Sequence, residues 1–466
     1  MRKPFQPVTD AIVAQLETIC PGRVMYHTIK EEYRHDEMTE YGKFDPEVVV
    51  EVLETAEVAA VMKLASHHHI AVTPRGSGTG LCGGCVAIHG GIVLSTAKMK
   101  KVLEVDVETL TATVQPGIML LELNQLLLPY RLFYAPDPGE KTATIGGNVS
   151  TNAGGMRAVK YGVTRSYVLG LEVVLPSGET LKLGGKVMKN SSGYSLKDLM
   201  IGSEGTLGII TEITVKLLPI PIFQQSLLIP FASLESCISC VPAILRSSYI
   251  PTALEYMEQE VIATAEQYLG KHFPDKSSDA YLLLSYDGHS KQEVEYVCDQ
   301  VSELCLRHGA LDVLISNTAE RHEMIWSARG AFLEAIKSST TEMDECDVVL
   351  PTNKITQLVL YSKELAQQFQ TRIMGFGHAG DGNLHLYILK DGMDDVTWEE
   401  KRSAIMDKLY HKAATLSGQV SGEHGIGHAK VDFLVQSLGS EAILLMKGIK
   451  QAFDPLGILN PGKVVH

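Results

Sequence analysis

The segment PRGSGTGLCGGC, residues 74–85, limits the fold more than any other part of the chain. It follows a short β-prone run, IAVTP. Its Gly78, Gly80 and Gly83 match the G-x-G-x-x-G spacing of dinucleotide-binding folds, while Cys82 and Cys85 match C-x-x-C. The first match demands a helix, because the helix amino terminus is what meets the pyrophosphate. Here GCVAIHGGIVLST follows, with Gly84, Gly90 and Gly91 ahead of a β-branched run, and a helix would lose about 1 kcal/mol at each glycine. A Rossmann domain is excluded, and with no Gly-Lys-Ser/Thr continuation so is a P-loop. What remains is a loop whose backbone N–H groups stay open to a closely approaching anion.

Two later segments share this character: IGGNVSTNAGG, residues 145–155, and GSEGTLGII, residues 202–210. Each could be an ordinary flexible loop. Three of them beside strands favour one long ligand lying along a sheet. The cysteine spacing points elsewhere. Eight cysteines in 466 residues do not make a disulfide framework, and the pairs Cys82/Cys85 and Cys237/Cys240 read as packed, reduced thiols without metal.

A chain of this length with 45% hydrophobic residues exceeds what one core holds, so two or more domains are expected. A net charge of −14 and the lack of any Lys/Arg run exclude a nucleic-acid partner. The amino terminus has no apolar signal region and no apolar stretch reaches membrane-spanning length, which predicts a cytoplasmic protein without transmembrane segments.

The periodicity predicts an amphipathic helix from Glu47 to His67, short strand segments at 90–96, 101–108 and 111–117, a Leu-rich helix from Met119 to Leu128, and a long small-residue loop from Tyr134 to Gly155. A hairpin around Pro176-Ser177-Gly178 and a long strand after GSEGTLG follow, and LLPIPIF marks a boundary. Beyond it helices and strands alternate. The expected class is α+β, divided as an N-terminal helical segment (1–40), a ligand-binding domain (41–220), a second α+β domain over an antiparallel sheet (221–410) and a C-terminal helical segment (411–466).

A second cluster lies in the later half. GHAGDGNLHLYI sets His378 and His385 on either side of Gly380-Asp381-Gly382, a turn that can aim two imidazoles at one point. SGEHGIGHAK then offers Glu423, His424 and His428. Two histidines and a carboxylate with an open position suit a catalytic divalent metal, and hydrogen-bonded loop histidines are the plainer alternative.

Taken in order, PRGSGTGLCGG, IGGNVSTNAGG, GSEGTLGIITEI, GHAGDGNLH, SGEHGIGHAK and FDPLGILNPGK resemble the vanillyl-alcohol-oxidase family of FAD proteins, with its two-part FAD-binding domain of the p-cresol methylhydroxylase (PCMH) type and a substrate (cap) domain. Within that family the chain is similar to the D-2-hydroxyacid dehydrogenases. The resemblance implies that Pro74, Arg75, Gly76, Ser77, Gly78 and Thr79 cradle the FAD pyrophosphate. It also implies that Pro138, Gly146, Gly147, Ser150, Ala153 and Gly154 line the cofactor and that Glu204, Gly205 and Ile210 complete the site. Some relatives tether the flavin through a histidine about where Thr79 stands, so FAD is expected to be non-covalent.

The resemblance further assigns His378, His385 and Glu423 to one divalent metal (zinc, iron or manganese), His424 to the base, Arg329 to the substrate carboxylate and Asn383 to a hydrogen bond near the metal. Metal coordination would acidify a 2-hydroxy acid whose C2 hydride goes to the flavin. Glu345 stands where relatives acting on 2-hydroxyglutarate carry a lysine, which favours a short monocarboxylate such as D-lactate over glycolate or 2-hydroxyglutarate. The chain carries no haem motif or ferredoxin cysteine series, so an external electron acceptor is implied, an electron-transferring flavoprotein by resemblance. A homo-oligomer stays open. A flavin-binding subunit without catalysis and a metal-dependent hydrolase are the rival classes.

Overall fold

A computed structural model describes residues 5–275, 277–316 and 318–465. The chain divides into two units. The first comprises Met1–Gly154, Val163–Ile220 and Glu423–His466, and the second Gly155–Gly162 and Pro221–Gly422. The break at Ile220/Pro221 falls in LLPIPIF. The second unit ends at Gly422, and residues 155–162 belong to it.

The first unit holds two larger sheets and a two-stranded pair, Leu132–Phe133 with Leu218–Pro219. In one, the strands run in the order Val24–Met25, Val48–Glu51, Ile92–Ser95, Val72–Arg75, and the last three are mutually parallel. The region expected as a helix from Glu47 to His67 is in fact strand Val48–Glu51 followed by helix Thr55–His68. The valine run decides this. Val48 and Val50 pack into one core and Val49 into another, so the segment is buried on both faces, as a parallel strand is and an amphipathic helix is not.

The other sheet is antiparallel, in the order Val102–Asp106, Thr111–Val114, Ile209–Lys216, Val168–Val174, Thr180–Gly184. The small-residue stretch expected as one loop contains a helix, Ile145–Thr151. Thr144 caps it by accepting from the Gly147 N–H at 3.2 Å. Gly146 lies against Pro116, where a Cβ would collide, so a residue that costs helix propensity is retained for close packing.

The second unit is one seven-stranded antiparallel sheet with helices packed on it. Its order is Leu314–Ser316, Phe223–Phe231, Ala280–Gly288, Ala253–Glu258, Ile373–His378, Asn383–Leu389, Met343–Val349. Both units mix helices with sheets, which is the α+β class. Among the described residues no helix is long and apolar enough to cross a membrane.

Candidate active site

In the first unit the three glycine segments wall a single cleft with about 1240 Å³ of space, its open mouth included. Of the residues expected at the cofactor, Pro74, Arg75, Gly76, Ser77, Gly78, Thr79, Pro138, Gly146, Gly147, Ser150, Ala153, Glu204, Gly205 and Ile210 all line it. Gly154 does not; it packs against the Glu423 carboxylate. The N–H groups of Ser77 to Leu81 meet no acceptor among the described residues. An open row of donors beside a strand end fits the pyrophosphate of FAD without a helix behind it.

Arg75 is not a free cation in this loop. Its guanidinium donates to the carbonyls of His35 at 2.9 Å and Glu32 at 2.6 Å, touches Cys85 Sγ at 3.3 Å, and occupies the space a Cβ on Gly78 would need. Gly78 stands at φ +84°, so both backbone and packing require glycine there. The paired cysteines serve the same packing, since Cys82 Sγ donates to the Gly425 carbonyl at 3.3 Å.

Several groups beneath the loop were not singled out as site residues by the sequence. Asp36 is buried and accepts from the N–H groups of Gly83 (2.6 Å) and Met38 (3.0 Å). Burial pushes its carboxyl up to about 6 against those hydrogen bonds and the Arg75 charge. The C-terminal FDPLGILNPGK segment straps the cleft from behind. Asn460 Nδ2 donates to the carbonyls of Gly84 (2.9 Å) and Glu204 (2.7 Å), and Lys463 Nζ to that of Val86 (2.8 Å). Glu204 itself, at φ +52°, accepts from the N–H groups of Ile426 (2.7 Å) and Gly427 (2.8 Å), and burial holds its carboxyl above the usual range. The strap ends the segment that carries Glu423 and His424. Both line the cleft, with His424 Nε2 3.8 Å from Glu423 Oε1.

In the second unit the two-residue period of three strands gathers a polar row on one sheet face. Phe376 pairs with His385, and His378 with Asn383. Asp347 pairs with His385 and Glu345 with Tyr387. The His378 and His385 rings meet edge to face with centroids 5.4 Å apart. Each Nδ1 donates to a buried carboxylate, His378 to Glu255 at 2.8 Å and His385 to Glu345 at 3.1 Å. Histidines that bind metals are backed in this way, so the pair fits a divalent ion. Nothing in ALEYM or DECDVVL forms a motif, and isolated charges inside apolar strands were the only signal for Glu255, Glu345 and Asp347.

The two remaining expected residues are engaged within this unit. Asn383 Nδ2 donates to Asp347 Oδ1 (2.7 Å) and the Val348 carbonyl (3.1 Å), while Ser421 and the Gly422 N–H hold Asp347 Oδ2. Arg329 is buried, lies 4.5 Å over the Phe376 ring, and donates through Nε (2.9 Å) and Nη2 (2.6 Å) to Glu255 Oε2. Burial alone would raise the Glu255 carboxyl, but His378 and Arg329 hold it below the usual range. Glu345 is equally committed, accepting from Tyr387 Oη at 2.8 Å as well as from His385.

Comparison with known proteins gives a consistent picture. The C-terminal domain of FAD linked oxidases matches residues 220–464, and an FAD binding domain matches residues 46–184. A D-lactate dehydrogenase of Anaerostipes hadrus is 49% identical over 99% of this chain and 98% of its own. Glycolate oxidase subunit GlcD of Bacillus subtilis (strain 168) is 39% identical over 93% of this chain and 91% of its own. A structure of p-cresol methylhydroxylase shares the fold, with a TM-score of 0.80 at 18% identity over 98% of both chains.

Proposed function

This chain belongs to the FAD-linked oxidases, and from that membership we propose that it oxidises a short D-2-hydroxy acid, D-lactate before glycolate, to the 2-oxo acid. The observation that carries the reading is that His424 lines the same cleft as the three glycine segments, which supports a proton acceptor beside a flavin held there. The 49% identity to a D-lactate dehydrogenase supports lactate as substrate.

When bound, FAD accepts the hydride from C2, and a divalent metal, when bound, acidifies the substrate hydroxyl. His378, His385 and Glu423 are the residues that would hold the metal. His424 Nε2 takes the hydroxyl proton, as a neutral imidazole can near pH 7. Arg329 grips the substrate carboxylate through its guanidinium fork, which fixes the face of C2 that is presented. Asn383 holds Asp347 and so keeps the strand beneath His385 in place. Ser77 to Leu81 bind the FAD phosphates through N–H groups, without a covalent tether. Electrons then leave to an electron-transferring flavoprotein, and the protein works in the cytoplasm.

Anaerobic mixing of the FAD-loaded protein with a panel of D- and L-2-hydroxy acids tests the reaction. Bleaching of the flavin by D-lactate, with L-lactate inert, is expected. A flavin that no 2-hydroxy acid bleaches refutes the reading and leaves a binding subunit.

A further inference from the structure

The geometry points to Glu255 as a positioning residue shared by both halves of the chemistry: one carboxylate sets Arg329 for the substrate carboxylate and His378 for the metal. The inference rests on the reading above and adds a residue to it. Glu255 lies in strand Ala253–Glu258, fully buried, and each of its oxygens serves a different partner. A buried carboxylate survives there only because both oxygens are bonded and a cation faces it.

The first partner is oriented by subtraction. A guanidinium offers two bidentate edges, one through Nε and Nη2 and one through Nη1 and Nη2. Glu255 Oε2 occupies the first edge. Nη1 meets no acceptor among the described residues, so the end-on edge is the one that can receive a substrate carboxylate. Phe376 and Phe332, 4.5 and 5.5 Å from the guanidinium carbon, confine the group.

The second partner is oriented by its tautomer. Glu255 Oε1 holds the proton on His378 Nδ1, which makes Nε2 the basic nitrogen that can ligate a metal. Glu345 backs His385 in the same manner but pairs otherwise with the Tyr387 hydroxyl. Of these two carboxylates only Glu255 joins a histidine to the substrate arginine.

Glu255→Gln tests the sharing, because the amide keeps the shape but can accept with one oxygen only. FAD content should be unchanged, while the KM for D-lactate rises and zinc retained after dialysis against a chelator falls, each about 10- to 100-fold. Arg329→Lys should move KM alone, and His378→Ala zinc retention alone in the dialysis arm. If Glu255→Gln moves only one of the two readouts, or moves kcat with neither, the shared role is overturned. Should that variant fail to fold, Glu255→Asp keeps the charge on a shorter arm and should give the same paired losses, smaller in size. Zinc retention is read without substrate. A wild-type flavin that no hydroxy acid bleaches therefore defeats the proposed reaction, while the dialysis arm still judges Glu255 against His378.

Discussion

Asp36 shows how a residue outside every motif can govern the first glycine loop. Its folded-state carboxyl titrates at about 6, above its ordinary value, so the protonated form is the one the fold favours. The associated stability is full below pH about 4 and is lost as pH rises through about 6, an effect of about 3 kcal/mol at most. Asp36→Asn cannot ionise. In thermal melts from pH 4.5 to 7.5 the variant should gain on the wild type as pH rises, and a difference constant with pH would contradict the assignment. His424 bears on rate instead. His424→Ala should keep FAD bound and slow anaerobic flavin reduction by D-lactate about 10²- to 10⁴-fold, the usual share of a general base. Reduction at the wild-type rate would remove His424 from the chemistry.

At the scale of elements, the cleft is built from segments that do not support themselves. Ile458–Asn460 lies along strand Val72–Arg75, with the Val72 N–H donating to Ile458 O at 2.8 Å and the Asn460 N–H to Val72 O at 2.7 Å. This places the Asn460 amide between the first and third glycine segments. Asn460→Ala strands two carbonyls behind the loop, a loss of roughly 1–3 kcal/mol for a buried unsatisfied group. FAD affinity, measured by flavin fluorescence on reloading, should weaken about tenfold or more while far-UV circular dichroism stays the same. Unchanged affinity would reduce the strap to a terminus that merely packs. The helix Ile145–Thr151 teaches a related lesson: two glycines and three small polar residues read as a loop until Thr144 caps them and Pro116 fills the space beside Gly146.

At the scale of the molecule, charge sets how an anionic substrate approaches. Arg329 is paired with Glu255, so it projects little field to long range, whereas the chain carries −14. Raising ionic strength from about 0.01 M to 0.15 M shortens the Debye length from about 30 Å to 8 Å and screens that repulsion. kcat/KM for D-lactate should therefore rise with salt over this range, and a fall would show that a local positive field dominates instead. The sequence alone determined the glycine series, the absence of a helix behind Gly83 and the histidine turn, because each depends on backbone freedom or on neighbours a few residues apart. It misread Val48–Glu51 and residues 145–151, where burial on both faces and a cap overrode local pattern. Only the tertiary structure decided that Asp36, Asn460 and Lys463 brace the first glycine segment, and that Glu255 serves Arg329 and His378 together. Those partners lie tens to hundreds of residues apart, and a lone carboxylate in an apolar strand carries no spacing that names what it will meet.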